Sequence, residues 1–229
     1  MKKFLLFDVD RTLLDFQKSE QIALKETLLR YFAVYTEEIR ARYEIINEFY
    51  WAEFEKGTIR KSEILYRRFE DLFQEFHLVG DPVRFVIDYR KELSCHAPLI
   101  DGASELLQRL KKKGYQIYYV TNGTREVQWP RLKQSGLEKL ADGIFISEEI
   151  GYQKPDKNYF EIVFSRINGF AKEEAIIIGD SLSSDIQGGV IMGIDTCWFR
   201  PEGTKNTKNF PVTYEISVLK ELEDILDSL

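Results

Sequence analysis

Short apolar runs recur along the chain, and each ends abruptly at small or polar residues. The first is FLLF at residues 4–7, and the others lie at 117–120, 143–146, 175–178 and, more weakly, 194–199. A strand in the middle of a parallel sheet is buried on both faces, so it is apolar throughout rather than alternating with polar residues. The runs therefore predict five buried strands.

Between these runs, apolar residues recur at helical spacing over 102–113, 125–135 and 155–167. Strands that alternate with helices of this length form parallel βαβ units. The tail, 215–229, predicts a closing amphipathic helix. This rhythm predicts an α/β fold with a doubly wound parallel sheet.

Residues 16–98 break the rhythm. Apolar residues there recur at helical spacing, no strand-like run is evident, and glycine and proline interrupt the segment at Gly57 and at 80–82. We expect about four helices here, inserted as a separate domain after the first strand. The predicted organisation is an α/β core of residues 1–15 and 99–229 with a helical-bundle domain of residues 16–98.

The composition limits what the chain can bind. Its 229 residues include 32 Lys and Arg against 38 Asp and Glu, which gives a formal net charge of −6. That balance argues against a basic surface for a nucleic-acid polymer but does not exclude a small phosphorylated ligand at one local site. No apolar run is long enough for a membrane span or a signal peptide, and Cys95 and Cys197 are far apart in the chain. We expect a cytoplasmic monomer or weak homodimer with no membrane contact, no disulfide and no zinc site, and with both cysteines buried.

Two aspartates, Asp8 and Asp10, follow the first predicted strand directly. In extended backbone residues i and i+2 point the same way, so the two carboxylates can lie together at the carboxyl end of the sheet, where ligands of open α/β sheets bind. Adjacent carboxylates repel each other, and a divalent cation or a shared proton removes the repulsion. The alternative is that one aspartate caps a following helix while the other is solvated.

A second acidic element follows the strand at 175–178, with Asp180 directly after it and Asp185 five residues later. If the two strands are neighbours, four carboxylates converge at one point. Hard oxygen ligands of this kind suit Mg²⁺. The alternative is that these residues only cap a helix. It does not explain why acidic residues follow both strands.

Two polar elements lie near other strand ends. Thr121, Asn122 and Gly123 close the run at 117–120, and hydroxyl, amide and backbone N–H groups near a helix start can hold phosphate oxygens. Lys154 comes directly before Pro155, which we predict to be the first residue of the next helix. Lys154 could supply a positive charge to the acidic cluster. The alternatives are that residues 121–123 form an ordinary turn and that Lys154 is solvated.

The four elements, in this order and at these separations, resemble the motifs of the haloacid dehalogenase-like superfamily. The resemblance extends from the first strand to about residue 200. The inserted helical segment resembles the cap of the helical-cap branch. The segments DVDRTLLDF, TNGTREVQWPRL, SEEIGYQKPD and GDSLSSDIQGG further resemble the bacterial pyrimidine 5′-nucleotidase group.

The resemblance implies a phosphomonoesterase with a Rossmann-like core and a Mg²⁺ cofactor. Asp8 would attack phosphorus to form an aspartyl-phosphate, and Asp10 would act as general acid and then as general base. The metal would be held by the Asp8 carboxylate, the Asp10 backbone carbonyl, Asp180 and, directly or through water, Asp185. Lys154 would be catalytic, because it would steady Asp8. The residues that bind phosphate would be Asp8, Val9, Asp10, Thr121, Asn122 and Lys154.

Substrate choice is less constrained than chemistry. Dehalogenases of this superfamily lack the second aspartate, so Asp10 favours a phosphatase, whereas Arg11 departs from the small or amide residue usual at that position. We expect nucleoside 5′-monophosphates, with pyrimidine nucleotides favoured. The alternatives are a sugar-phosphate or phosphoglycolate phosphatase, and a catalytically idle protein that only binds a metabolite or partner.

Aromatic residues of the helical segment are candidates for stacking on a nucleobase, although a helical bundle of this size needs large apolar residues for its own core. We expect packing to account for most of them. The candidates are Phe16, Tyr43, Trp51, Phe54 and Tyr66.

Overall fold

The computed structural model describes residues 2–200, 206 and 210–229. The chain divides into two compact units. One combines Met1–Phe16 with Ala97–Leu229, and the other is Gln17–His96. Among the described residues, none of the helices combines the length and apolar character needed to cross a membrane.

The first unit is built on a parallel sheet with strand order β3-β2-β1-β4-β5-β6 in the described residues. Its strands are β1 Phe4–Phe7, β2 Gln116–Thr121, β3 Gly143–Ile146, β4 Ala175–Gly179, β5 Asp195–Phe199 and β6 Tyr214–Ile216. The α/β fold and the five predicted strands are confirmed. The sixth strand was missed, and the prediction of a single helix over 215–229 is wrong, because Tyr214–Ile216 pairs with the edge of β5 before a shorter helix begins.

Ten α-helices accompany the strands in the described residues. They are α1 Phe16–Phe32, α2 Glu37–Glu55, α3 Lys61–Glu75, α4 Pro82–Ser94, α5 Ala103–Lys112, α6 Arg125–Gln134, α7 Ser147–Ile150, α8 Lys157–Ser165, α9 Gln187–Met192 and α10 Glu221–Asp227. The prediction that Pro155 begins a helix is wrong. Asp156 caps α8 instead, since its carboxylate accepts a hydrogen bond from the Asn158 N–H, and the helix starts one residue after the cap.

The continuous apolar character of β1 has a simple cause. Leu5 and Phe7 pack on one face of the sheet, with residues of α5 and α10, whereas Phe4 and Leu6 pack on the other, with residues of α8. All four side chains are fully buried. Successive side chains of a strand point to opposite faces of the sheet, and both faces are covered here, so no position in β1 is polar.

The position of β1 in the middle of the sheet brings several strand ends together. It lies between β2 and β4, with Phe7 opposite Tyr119 on one side and Ile178 on the other. From β1 the strand order continues to β2 and β3 on one side and to β4, β5 and β6 on the other. Open α/β sheets bind ligands at such a switch point, beyond the carboxyl ends of the strands. The residues after β1, β2 and β4 therefore converge.

The second unit, Gln17–His96, is helical and contains most of α1 together with α2, α3 and α4. Its core is aromatic, with Phe69 and Phe85 at the centre of a set of ring contacts. A buried polar group, Glu20, accepts hydrogen bonds inside this core from Tyr43 and Asn47. Of the two cysteines, Cys197 is buried in the sheet, but the expectation that Cys95 is buried is wrong, because it lies exposed at the end of α4.

Candidate active site

Three carboxylates meet at the carboxyl ends of β1 and β4. Asp8, Asp180 and Asp185 each offer one oxygen, and these oxygens lie within 4.8 Å of one another. The neighbouring strands deliver Asp8 and Asp180, and the turn that leads into α9 returns Asp185 to the same point. Of the four acids predicted to converge, these three do so.

Gly179 makes the return of Asp185 sterically feasible. A Cβ atom at this position would lie 2.2 Å from Asp185 Oδ2 and 2.3 Å from its Cγ. The same oxygen accepts a hydrogen bond from the Ser181 N–H at 3.1 Å. The glycine that ends β4 is therefore required for the position of this carboxylate.

Lys154 supplies the positive charge of the cluster. Its Nζ lies 2.6 Å from Asp8 Oδ1, 2.6 Å from Asp185 Oδ1 and 2.8 Å from the Val120 carbonyl oxygen. The three contacts match the three donors of an ammonium group. Lys154 is 1% exposed, so its charge is held inside the protein and acts on the acids with little screening by water.

The acids of the cluster have displaced pKa values. Burial raises the pKa of Asp8 well above its usual range, the Lys154 charge opposes this, and the charges of Asp185 and Asp180 add to it. Burial and the Asp185 charge raise the pKa of Asp180 to about 7. Burial lowers the pKa of Lys154, but the charges of Asp185 and Asp8 outweigh it and the pKa rises. Repulsion among the acids contributes to the raised pKa values of Asp8 and Asp180, and a cation bound at the cluster would offset this repulsion.

Asn122 fixes the loop that carries Lys154. Its Nδ2 donates to the Lys154 carbonyl oxygen at 2.9 Å, and its Oδ1 accepts from the Lys154 N–H at 2.9 Å. This two-point contact joins the end of β2 to the loop before α8. The predicted phosphate-binding residue Asn122 therefore has a positioning contact with the lysine.

Asp10 lies apart from the three-acid cluster and faces α6. Arg131 NH1 donates to Asp10 Oδ1 at 2.6 Å, and Gln128 Nε2 donates to Asp10 Oδ2 at 2.6 Å. The same Gln128 nitrogen lies 2.9 Å from Thr121 Oγ1, which links the first two motifs. We did not identify Gln128 and Arg131 as site residues from the sequence, although they lie three apart in the segment that follows Thr121 and so share one helix face.

The turn after Asp10 places Arg11 in a backbone conformation that is unusual for a residue with a side chain. Arg11 has φ 65°, in the left-handed region that glycine adopts without strain. Its N–H donates to the Leu14 carbonyl oxygen, and the Leu13 and Leu14 N–H groups donate to the Val9 carbonyl oxygen. The Arg11 side chain is exposed, and its charge lowers the pKa of Asp180 against the larger effects of burial and Asp185.

Residues 5–199 match the model of the haloacid dehalogenase-like hydrolase family. The chain therefore belongs to this family. It is 42% identical over 229 residues to the HAD-hydrolase YfnB of Bacillus subtilis, covering 99% of this chain and 97% of that protein. The crystal structure of YfnB bound to magnesium is similar with a TM-score of 0.94 at 41% identity, over 99% of both chains.

Two further relatives carry names that state a substrate. The pyrimidine 5′-nucleotidase PynA of Streptococcus pneumoniae is 38% identical over 225 residues, which cover 98% of this chain and 95% of PynA. The glyceraldehyde 3-phosphate phosphatase of Pyrococcus furiosus is 30% identical over 86% of this chain and 80% of that enzyme. The predicted family and the prediction of an enzyme, a phosphoric monoester hydrolase of this family, are confirmed.

Proposed function

We propose that the protein is a Mg²⁺-dependent phosphatase that works through an aspartyl-phosphate at Asp8. The single observation that carries this proposal is the pairing of Asp8 with Lys154 inside the acidic cluster, with a second aspartate two residues away. A departing halide needs no proton donor, whereas the departing oxygen of a phosphate ester does. Asp10 therefore favours phosphate-ester chemistry.

The reaction would proceed in two displacements. A carboxylate oxygen of Asp8 attacks phosphorus, the bond from phosphorus to the ester oxygen breaks, and Asp10 gives its proton to that oxygen. In the second displacement Asp10 takes a proton from water as the water oxygen attacks the same phosphorus. The acyl-phosphate bond then breaks, which releases inorganic phosphate and the free Asp8 carboxylate. Lys154 holds the Asp8 carboxylate in place through both steps and neutralises charge on the phosphoryl oxygens.

The donor set at the cluster fits Mg²⁺. It consists of hard carboxylate oxygens, and Asp180 is partly exposed, so an ion with bound water can reach it. When bound, Mg²⁺ would supply positive charge next to the transferring phosphoryl group. Asp8, Asp180 and the Asp10 backbone carbonyl would hold it. Asp185 already accepts hydrogen bonds at both oxygens, which favours a role through water.

We propose pyrimidine nucleoside 5′-monophosphates as the substrates, and the similarity to PynA over nearly the whole chain supports this. The second candidate is a sugar phosphate, which the similarity to the Pyrococcus glyceraldehyde 3-phosphate phosphatase favours. Both substrates present the same phosphomonoester to the same acids. They differ in the leaving group alone.

The helical unit, Gln17–His96, is proposed to be the cap that selects the leaving group. Its aromatic residues divide by burial. Tyr43 and Phe54 are buried within the unit and serve its core, whereas Trp51 and Tyr66 are partly exposed and remain candidates for contact with a base. Phe16 belongs to the α/β unit, where its ring centroid lies 5.4 Å from the Arg131 guanidinium carbon; it is also partly exposed and stays a candidate.

A substrate panel tests the proposal. We would measure kcat/KM with Mg²⁺ for UMP, dUMP, TMP, AMP, phosphoglycolate, glyceraldehyde 3-phosphate and a hexose phosphate, in wild type and in Asp8→Asn. The expected result is highest kcat/KM with a pyrimidine nucleotide, dependence on Mg²⁺, and loss of activity in the variant. A sugar phosphate that exceeds every nucleotide tenfold would overturn the substrate class. Substantial turnover by Asp8→Asn would overturn the nucleophile.

A further inference from the structure

Gln128 and Arg131 form a buried pair of donors that both point at Asp10. Both side chains are fully buried, and both approach the same carboxylate at 2.6 Å, one at each oxygen. Two donors on two oxygens fix the plane of a carboxylate as well as its position. A carboxylate held in this way cannot rotate without breaking a charge-assisted hydrogen bond.

The pair is itself held rigidly. The Arg131 guanidinium lies over the Phe16 ring and its NH1 is 3.4 Å from Gln128 Oε1, so the two side chains contact each other as well as Asp10. Gln128 also bonds Thr121 Oγ1. A buried arginine that is used only for stability is costly, because its desolvation offsets most of the attraction to its partner. The buried pair of Arg131 and Asp10 is therefore weak evidence for a stabilising role, and its geometry also suits a role in orienting the carboxylate.

Gly123 makes room for this arrangement. A Cβ atom there would lie 2.1 Å from Gln128 Nε2 and 2.5 Å from Gln128 Cγ. The absence of a side chain at position 123 allows the Gln128 amide to reach Asp10 and Thr121 together. Gly123, Gln128 and Arg131, which all follow β2, thus determine the orientation of the Asp10 carboxylate, which follows β1.

We propose that Gln128 and Arg131 are positioning residues that orient the Asp10 carboxylate for proton transfer to the leaving oxygen. This inference rests on the proposed phosphatase function. General acid–base catalysis depends on the proton donor lying within hydrogen-bond reach of the reacting oxygen, and it contributes about 10²–10⁴-fold to rate. Loss of either donor lets the Asp10 carboxylate rotate away from that geometry while Asp8 and Lys154 stay in place.

The test compares leaving groups. An alkyl ester such as UMP needs a proton on the departing oxygen, whereas the p-nitrophenolate of p-nitrophenyl phosphate leaves without one. We would measure kcat/KM for UMP, glucose 6-phosphate and p-nitrophenyl phosphate in wild type, Arg131→Met and Gln128→Met, because this constant reports the first displacement. Of UMP and glucose 6-phosphate, we consider the one with the higher kcat/KM in the wild type. In the variants we expect kcat/KM for this alkyl ester to fall by about 10²-fold, and kcat/KM for p-nitrophenyl phosphate to fall by less than about tenfold.

Two further variants separate positioning from structure. Arg131→Lys keeps the charge and one donor and should recover part of the alkyl-ester activity, whereas Lys133→Met removes an exposed charge from the same helix and should leave both activities unchanged. Gln128→Met keeps the volume without a buried charge change, so it serves if Arg131→Met does not fold. Equal losses on alkyl and aryl esters would overturn the positioning role. A wild-type protein that hydrolyses none of the three esters would instead overturn the proposed function.

Discussion

The Lys154 ammonium lies 2.6 Å from the Asp8 carboxylate, and both side chains are buried. Burial alone raises the pKa of Asp8 and disfavours the ionised form that a nucleophile requires. The Lys154 charge acts in the opposite direction. Asn122 holds the backbone of the lysine at two points, so the charge that favours the ionised form of Asp8 depends on a residue at the end of β2.

Removal of this charge should impair both stability and activity. In Lys154→Met, Asp8 and Asp185 lose the ammonium that each contacts, and breaking a buried pair in this way costs about 3–5 kcal/mol. We expect the free energy of unfolding, measured with urea at neutral pH, to fall by about 3 kcal/mol. Phosphatase activity should fall by about 10²-fold or more.

Lys157→Met is the matched control for this variant. Lys157 lies three residues further along, is 66% exposed at its side chain, and pairs with Glu161 on the surface. An exposed pair contributes about 0–1 kcal/mol. A Lys154→Met protein no less stable than this control would contradict the account of the buried pair.

Without metal, stability should fall as pH rises. The pKa of Asp180 is about 7 in the folded protein and about 3.9 in an unfolded chain, so between these values the folded state binds more protons. The free energy of unfolding must then decrease with rising pH across this window, and the raised pKa of Asp8 acts in the same direction. Urea unfolding in EDTA between about pH 5 and pH 8 measures the slope.

Asp180→Asn identifies the source of that slope. The amide does not ionise, so we expect a flatter pH dependence in EDTA. Because Asp180 is a proposed ligand of the ion, we also expect Mg²⁺ to stabilise the wild type but not this variant. Asp224→Asn, which changes an exposed acid on α10, should keep the wild-type slope. An unchanged slope in Asp180→Asn would show that other groups cause the effect.

The strand ends of this site could be predicted from the sequence, because a strand buried on both faces is a continuous apolar run. In β1 both faces are covered, so the run FLLF is apolar throughout and its boundary with Asp8 is sharp. The same applies to β4 and Asp180. Once two such strands are neighbours in a parallel sheet, their next residues must meet, which requires no knowledge of individual contacts.

The partners of Asp10 could not be predicted in this way. Gln128 and Arg131 are polar residues on a helix, and at sequence level they are indistinguishable from a solvated face. Their burial depends on how α6 packs below the end of β1, which is a tertiary property. The edge strand β6 was missed for a related reason, because its three residues, of which only Ile216 is buried, leave no continuous apolar run.

Gly179→Ala should weaken Mg²⁺ binding at the proposed site, because the new methyl group would displace Asp185. The new methyl would overlap the Asp185 carboxylate at 2.2 Å, and the side chain would have to move away from Lys154 and Ser181. We expect a lower affinity for Mg²⁺, measured by calorimetry, and a higher Mg²⁺ requirement for activity. Both effects follow without the removal of any ligand atom.

Gly189→Ala is the matched control for steric overpacking. Its methyl would lie 2.5 Å from Thr196 Cγ2 and 2.7 Å from Ile177 Cγ2, in the core rather than at the acids. Overpacking of this kind costs about 1–3 kcal/mol of stability. If both glycine variants lost Mg²⁺ affinity to the same degree, general destabilisation rather than displacement of Asp185 would be the cause.

The helical unit contains a buried arginine whose contribution can be measured against its neighbour in sequence. Arg68 NH1 lies 2.5 Å from Asn47 Oδ1, Asn47 in turn donates to Glu20, and the guanidinium packs 4.9 Å from the Phe69 ring centroid. Arg68→Met leaves Glu20 buried without this charge, so we expect a loss of about 3 kcal/mol in the free energy of unfolding. Arg67→Met removes an arginine that is 53% exposed and pairs with Glu63, and it should cost less than about 1 kcal/mol. Equal costs at the two positions would indicate that the polar network contributes nothing specific to this unit.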